Sequence, residues 1–292
     1  MTDLLDPKQD YIFKNIFGNE ERKPLLISFL NSLLYEGKPH IKSLTLNNPN
    51  IEKILEKDKS SRLDIRATTD DKKTVLNIEI QIKNTGEIPE RAIQYLANTM
   101  PRTIKSKESY KKSNVIGIWV LGENVTDRKN AISDAYMTFQ ANGSDPYQIM
   151  AKNARIVFIE LPKFNPKKSN VNDLLTAWLS FLKDPVFMDE SFLKVEEVHE
   201  AMDTLKYISA DPDIRAIADL RQRTMNDRNS ELTVARDEGI EIGKAKGLAE
   251  GEAKGASEKA RETARKMLSE NLPLEIIIKC TGLTEVEIKE LQ

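Results

Sequence analysis

The chain has 292 residues, 39% of them hydrophobic, a formal net charge of −2 and one cysteine, which is enough chain for one sizeable core and an appendage. A sequence pI near 6.0 excludes a globally basic surface, so any contact with nucleic acid has to come from local patches and bound cations. Cys280 alone excludes an internal disulfide framework, the acidic start MTDLLDPKQD lacks the basic and apolar stretches of a leader, and no apolar run reaches the roughly 20 residues that span a bilayer; the expectation is a cytoplasmic protein with no membrane segment.

DYIFKNIF, residues 10 to 17, puts Tyr11, Ile12, Ile16 and Phe17 on one helical stripe. Gly18 stops it, and Pro24 sits in the first turn of a second helix. Five β-rich runs follow: IKSLTLNN, RLDIRATT, KTVLNIEIQIK, NVIGIWVL and ARIVFIEL. Asp70 to Lys73 reads as a hairpin turn between the second and third, and DAYMTFQAN is a candidate for one more strand. The segment EIPERAIQYLANTMPRTIKSKESYKK is long and periodic enough for a crossover helix, with Pro101 expected to kink or end its first part. These elements make a mixed α/β core.

From Val171 the periodicity is helical. Gly239, Gly243, Gly247, Gly251 and Gly255 recur every four residues, and at about 0.8–1 kcal/mol each relative to alanine they make this helix marginal on its own. It reads either as a ridge for close helix packing in a homo-oligomer or as a solvated helical linker. The end of the chain predicts a short helix-turn-helix: Pro273 near one start, Gly282 as a stop, and Thr284 with Glu287 as a capping box. Its second helix carries Glu285, Glu287 and Glu290 against Lys289, which suits packing better than reading DNA. The divisions are 1–185 for the core, 186–235 for a helical extension, 236–265 for the glycine-repeat helix and 266–292 for the tail.

TVLNIEIQIK raises the chemical question. Alternation puts Leu76, Ile78, Ile80 and Ile82 on one face and Glu79, Gln81 and Lys83 on the other. If the hairpin holds, Asp64 lies one strand away from Glu79, and two carboxylates on antiparallel neighbours about 5 Å apart can converge on one Mg²⁺. Such a cation polarises a phosphodiester and lowers the pKa of attacking water. The Gln81 amide can hold water or a phosphate oxygen but brings no positive charge; Lys83 brings one if the strand stays regular. The plainer reading is the solvated face of a half-buried strand. Arg91 and Tyr95, four apart on one helix face, either contact phosphate, support Gln81 or are ordinary helix surface. Arg62 and Arg66 flank Asp64. Arg102, Lys105, Lys107, Lys111 and Lys112 against Glu108 give residues 102 to 112 a charge of +4, a candidate track for DNA phosphates or a solvated helix face. His40 and His199 have no ligand or nucleophile partner nearby in sequence, which argues against zinc.

Asp64, fourteen residues and then Glu79-x-Gln81 resembles the PD-(D/E)XK nuclease motif in its glutamine-bearing form. With LDPKQDYIFKNIFGNEERKPLLISFLNSLL, RLDIR, NIEIQI, Arg91-AIQ-Tyr95, VFIELPKF and the glycine-repeat tail ending TGLTEVEIKEL, the chain resembles the recombination-promoting nuclease/transposase family of that superfamily along most of its length. The resemblance implies a restriction-endonuclease-like fold, a mixed sheet flanked by helices and followed by a helical C-terminal extension. It also implies cleavage of DNA with Mg²⁺ or Mn²⁺. Asp64 and Glu79 would be metal ligands, and Gln81 would stand where the superfamily has lysine. Asp10, at the head of the first helix, either complements the helix dipole or reaches the metal as helix acids do in related nucleases. Leu63 stands where the motif name has proline, and Gln81 leaves transition-state charge to the metal, Lys83 or Arg91. A catalytically weak DNA-binding or assembly protein is the alternative, and strand-transfer chemistry a weaker third.

Overall fold

The computed structural model describes residues 3–47, 65–70, 74–83, 86–103, 114–136, 138–139, 148–149, 153–168 and 171–291. They divide into two compact units, Met1–Gln222 and Arg223–Gln292.

The first unit is built on a six-stranded mixed sheet. In chain order its strands are β1 (Leu44–Leu46), β2 (Ile65–Thr69), β3 (Thr74–Gln81), β4 (Asn114–Leu121), β5 (Ile132–Tyr136) and, after a separate two-stranded pair β6 (Thr138–Phe139) and β7 (Gln148–Ile149), β8 (Ala154–Glu160). The order across the sheet is β1-β2-β3-β4-β8-β5. β2 and β3 form the expected antiparallel hairpin, with Ile65 opposite Ile78 and Ala67 opposite Leu76; most of the expected turn, residues 71–73, lies outside the described residues. β3 and β4 are parallel, joined by the crossover that contains α3 (Ile88–Thr103), and β4 runs parallel to β8. α3 ends two residues beyond Pro101, whose missing N–H and ring clash make it a poor residue for a helix interior. The segment DAYMTFQAN divides between β5 and β6, and β5 pairs with β8 at the edge of the sheet.

The two faces of the sheet are covered differently. Leu76, Ile78, Ile80, Ile118, Val120, Val157 and Ile159 belong to one core with α1 (Asp10–Phe17), α2 (Lys23–Leu34), α4 (Asp173–Lys183) and α5 (Glu196–Ala210). At the centre of that core, Trp178 meets Phe17 at 5.4 Å and Phe29 at 6.1 Å between ring centres, and each fully buried Phe side chain contributes about 1.5–3 kcal/mol. α1 ends at Gly18, where a Cβ would come within 2.8 Å of the Lys14 carbonyl oxygen, so glycine suits that cap. On the other face Val115, Trp119, Leu121, Ala154, Ile156 and Phe158 pack under Ile88, Ala92, Tyr95 and Leu96 of α3. A mixed sheet flanked by helices, with a helical extension after it, is the architecture expected from the sequence.

α6 (Pro212–Ser269) starts in the first unit and is one continuous 58-residue helix through all five glycines. In the second unit its last turns join α7 (Leu274–Thr281) and α8 (Glu285–Lys289) around Ala264, Ile277, Leu283 and Ile288. Gly282 ends α7 at φ +72°, where a side chain is strained. Thr284 and Glu287 form the expected capping box of α8.

Glu160 at the end of β8 is fully buried. Burial is the largest single influence on its carboxyl and pushes the pKa up. The Lys163 ammonium at 2.7 Å, the Thr126 amide and hydroxyl and the Val125 amide together outweigh it and hold the pKa below its ordinary value. The folded-state pKa is therefore lower than the unfolded one, so this clamp stabilises the protein fully above about pH 4.3 and its contribution is lost as pH falls through the folded-state value. Glu160→Gln is expected to lower stability at pH 7 by about 2 kcal/mol. Chemical denaturation at descending pH should show the gap to wild type closing below about pH 4.

Candidate active site

β3 presents Asn77, Glu79 and Gln81 to α3, because alternate residues share a face and the intervening Leu76, Ile78 and Ile80 are taken by the large core. The helix answers with a matching row at helical spacing, Arg91, Tyr95 and Thr99. Asn77 Nδ2 donates to Thr99 Oγ1 at 2.7 Å, and Thr99 Oγ1 donates to the Tyr95 carbonyl at 2.8 Å. Arg91 lies above this bond pair. Its Nη2 is 3.5 Å from Glu79 Oε1, its Nη1 donates to Gln81 Oε1 at 3.3 Å, and its Nη2 also donates to the Tyr95 hydroxyl at 3.4 Å. The guanidinium carbon is 5.8 Å from the Tyr95 ring centre and 5.6 Å from that of Trp119, within cation–π range. Trp119 is opposite Glu79 in the parallel β3–β4 register.

The site is a nearly buried carboxylate, with the Glu79 side chain 7% exposed, beside an amide and beneath the stacked guanidinium of Arg91, whose side chain is 29% exposed. Its donors toward a cation are oxygens, the Glu79 carboxylate and Gln81 Oε1, which fits a hard divalent ion such as Mg²⁺ better than zinc. Among the described residues no three His, Cys, Asp or Glu side chains gather as a metal cluster. A site with two carboxylates here would need one more acid than Glu79.

The sequence-predicted residues fall into three groups. Glu79, Gln81, Arg91 and Tyr95 come together. Lys83 and Asp10 are engaged elsewhere: β3 ends at Gln81, so the alternation that would carry Lys83 toward Glu79 stops, and Lys83 Nζ pairs with Glu123 at 3.1 Å. Gln81 Nε2 donates to the Lys83 carbonyl at 3.0 Å across this bend. Asp10 accepts from its neighbour Tyr11 N at 2.7 Å and pairs with Arg221 of α6 at 2.8 Å, and the Arg221 guanidinium lies 5.0 Å from the Tyr11 ring centre. Its helix packs into the core on the opposite face of the sheet from α3. Asp64, Lys105, Lys107, Lys111 and Lys112, together with Arg62, lie outside the described residues, and Arg102 falls in the last turn of α3. Arg66 is on β2 opposite Asn77. Asn77, Thr99 and Trp119 were not among the sequence candidates. Asn77 continues the alternation Asn77-x-Glu79-x-Gln81, and Thr99 continues the spacing of Arg91 and Tyr95, so both were within reach of the same patterns; Trp119 required the strand pairing.

Gly122, just after β4, fixes the end of β3. Its amide donates to the Gln81 carbonyl at 2.9 Å, and a Cβ there would come within 2.6 Å of the Ile82 carbonyl oxygen and 2.9 Å of Ile82 Cα. Both obstacles are backbone, so Gly122→Ala must displace the strand end that carries Gln81. The substitution is expected to cost about 1–3 kcal/mol in thermal or denaturant unfolding.

A model of the family described as PD-(D/E)XK nuclease family transposase matches residues 7–235. No curated protein and no solved structure matches the chain.

Proposed function

The chain belongs to the PD-(D/E)XK nuclease family transposases, and from that premise we propose that it is a metal-dependent DNA endonuclease whose site lies on the α3 face of β3. The observation that carries this reading is the nearly buried Glu79 carboxylate, with Gln81 beside it on β3 and Arg91 reaching it from α3, inside the family-matched residues 7–235. The β2–β3 register, with Ile65 opposite Ile78, favours Asp64 as the second carboxylate, since one further step of an antiparallel ladder would set it opposite Glu79. Mg²⁺ or Mn²⁺ held by Asp64 and Glu79 would activate water and stabilise the leaving oxygen of a phosphodiester. Gln81 would orient water or a phosphate oxygen, and Arg102, Lys105, Lys107, Lys111 and Lys112 would track the DNA backbone. The chain would act in the reducing cytoplasm, which suits its single cysteine.

Purified wild type, Asp64→Ala and Glu79→Ala incubated with supercoiled plasmid and Mg²⁺ give the test. Wild type is expected to nick and both variants to lose at least about 100-fold of that rate, a loss of some 2.7 kcal/mol of transition-state stabilisation; equal nicking by all three defeats the assignment. The second reading, a DNA-binding or assembly protein with weak catalysis, is favoured by one feature: Gln81 stands where the motif has lysine, and Lys83 is turned to Glu123. DNA binding without cleavage in Mg²⁺ and Mn²⁺ would select it.

The glycine-repeat part of α6 is proposed to join copies of the chain into a homo-oligomer. Ile242 and Leu248 are 69% and 66% exposed there, and a Cβ built on any of the five glycines meets nothing within 4 Å. Light scattering of the full chain should give a multiple of 33.2 kDa, and an Ile242→Glu, Leu248→Glu double variant should fall to that mass.

A further inference from the structure

Among the described residues, Arg91 is held more loosely than the other cations whose side chains are partly buried. Lys163–Glu160 and Arg155–Asp134 close to 2.7 Å and Arg221–Asp10 to 2.8 Å, the usual range for charge-assisted contacts. The three polar contacts of Arg91, to Glu79, Gln81 and the Tyr95 hydroxyl, measure 3.5, 3.3 and 3.4 Å. The guanidinium is thus shared among three acceptors and locked on none. What holds it in place besides is the pair of ring faces of Tyr95 and Trp119, and attraction to a ring face varies gently as a flat cation slides across it. The solvent side of Arg91 is open, whereas Glu79 below it is almost covered. A covered carboxylate in its charged form is stabilised by a positive neighbour, and Arg91 is one.

Building on the nuclease reading above, we infer that Arg91 is an exchangeable counter-ion. It neutralises Glu79 while no divalent cation is bound. When Glu79 engages a cation, Arg91 slides outward over Tyr95 and Trp119 and offers its guanidinium to a DNA phosphate. One residue thereby opposes cation binding and favours DNA binding, so cation and DNA each strengthen the other's hold on the protein by the same factor. A guanidinium suits this exchange because it is planar, permanently charged and able to grip phosphate with two N–H groups.

The experiment uses Ca²⁺ with the full-length protein, so that binding is read without cleavage. Isothermal titration should show Arg91→Gln binding Ca²⁺ roughly tenfold more tightly than wild type, since a competing charge has gone. Its affinity for a short duplex in Ca²⁺ should fall roughly tenfold. Arg91→Lys, which keeps the charge but not the flat stacking group, should keep Ca²⁺ affinity near wild type and still lose duplex affinity. A residue that merely supports the fold could not raise cation affinity on removal, so equal or weaker Ca²⁺ binding by Arg91→Gln overturns the inference. If that variant does not fold, the wild type decides: the Arg91 side-chain N–H resonance, assigned by its absence from Arg91→Lys, must move on Ca²⁺ saturation, and an unmoved signal overturns the inference. Glu79→Ala separates the two levels. Ca²⁺ binding that survives Glu79→Ala unchanged sinks the nuclease site itself; binding that Glu79→Ala abolishes but Arg91→Gln leaves unaltered sinks only the role of Arg91.

Discussion

Glu79 brings a carboxylate into a wall made by Tyr95 and Trp119, and the arrangement of the α3 face follows from that placement. An ionised carboxylate taken out of water costs several kcal/mol unless opposite charge and hydrogen bonds replace the lost hydration. Hydrophobic packing could have been had from a valine or isoleucine at this position, as at Ile78 and Ile80 next to it. The protein therefore keeps a group that is unfavourable for stability alone, and supplies Arg91 from a different element to tolerate it. A covered ionisable group with a specific charge partner is a candidate for function, and the Glu79–Arg91 pair meets that description.

The rest of the first unit holds that one pair in register. β3 lies inside the sheet, hydrogen-bonded to β2 on one side and β4 on the other. Its apolar face is fixed by a four-helix layer centred on the aromatic cluster of Phe17, Phe29 and Trp178. A slip of one residue would turn Glu79 into that core and Ile78 toward α3, an exchange that both layers penalise. α3 is in turn set against β3 by the Asn77–Thr99 hydrogen bond and by Ile88, Ala92 and Leu96, so Arg91 arrives over Glu79 through packing at both ends of the crossover. Gly122 supplies the last constraint, the close backbone approach that ends β3 at Gln81.

Much of this was legible in the sequence because it depends on short periods. β-branched runs marked β3, β4 and β8, the apolar stripe marked α1, and the Thr284–Glu287 box marked α8. The pairing of Glu79 with Gln81 on one face needed nothing beyond strand alternation. What was not legible depends on residues far apart in the chain. Lys83 looked available by alternation, yet the bend after Gln81 comes from β4 and Gly122 and hands Lys83 to Glu123. Asp10 looked like a possible ligand by helix position, yet it pairs with Arg221, 211 residues away. The Glu160 clamp draws on a loop some 35 residues earlier. In each case the competing partner is brought in by tertiary packing, about which local spacing carries no information.

The long helix presents the opposite balance from the sheet. Five glycines within one helix cost it about 4–5 kcal/mol relative to alanine. Within the glycine-repeat segment and the turns after it, the ion pairs Lys246–Glu250 at 3.9 Å and Glu262–Lys266 at 2.7 Å return about 0.3–0.5 kcal/mol each, the first less because its charges run against the helix dipole. The small core of Ala264, Ile277, Leu283 and Ile288 supports only the end of the helix. Alanine would have served a solvated spacer better at every one of the five positions, so a spacer role leaves the glycines without a physical purpose. The proposed homo-oligomer would give them one, since each missing side chain would let two helices come nearer and offset the local penalty with intermolecular contact. The same proposed contact would cover Ile242 and Leu248, which stand exposed among lysines and glutamates.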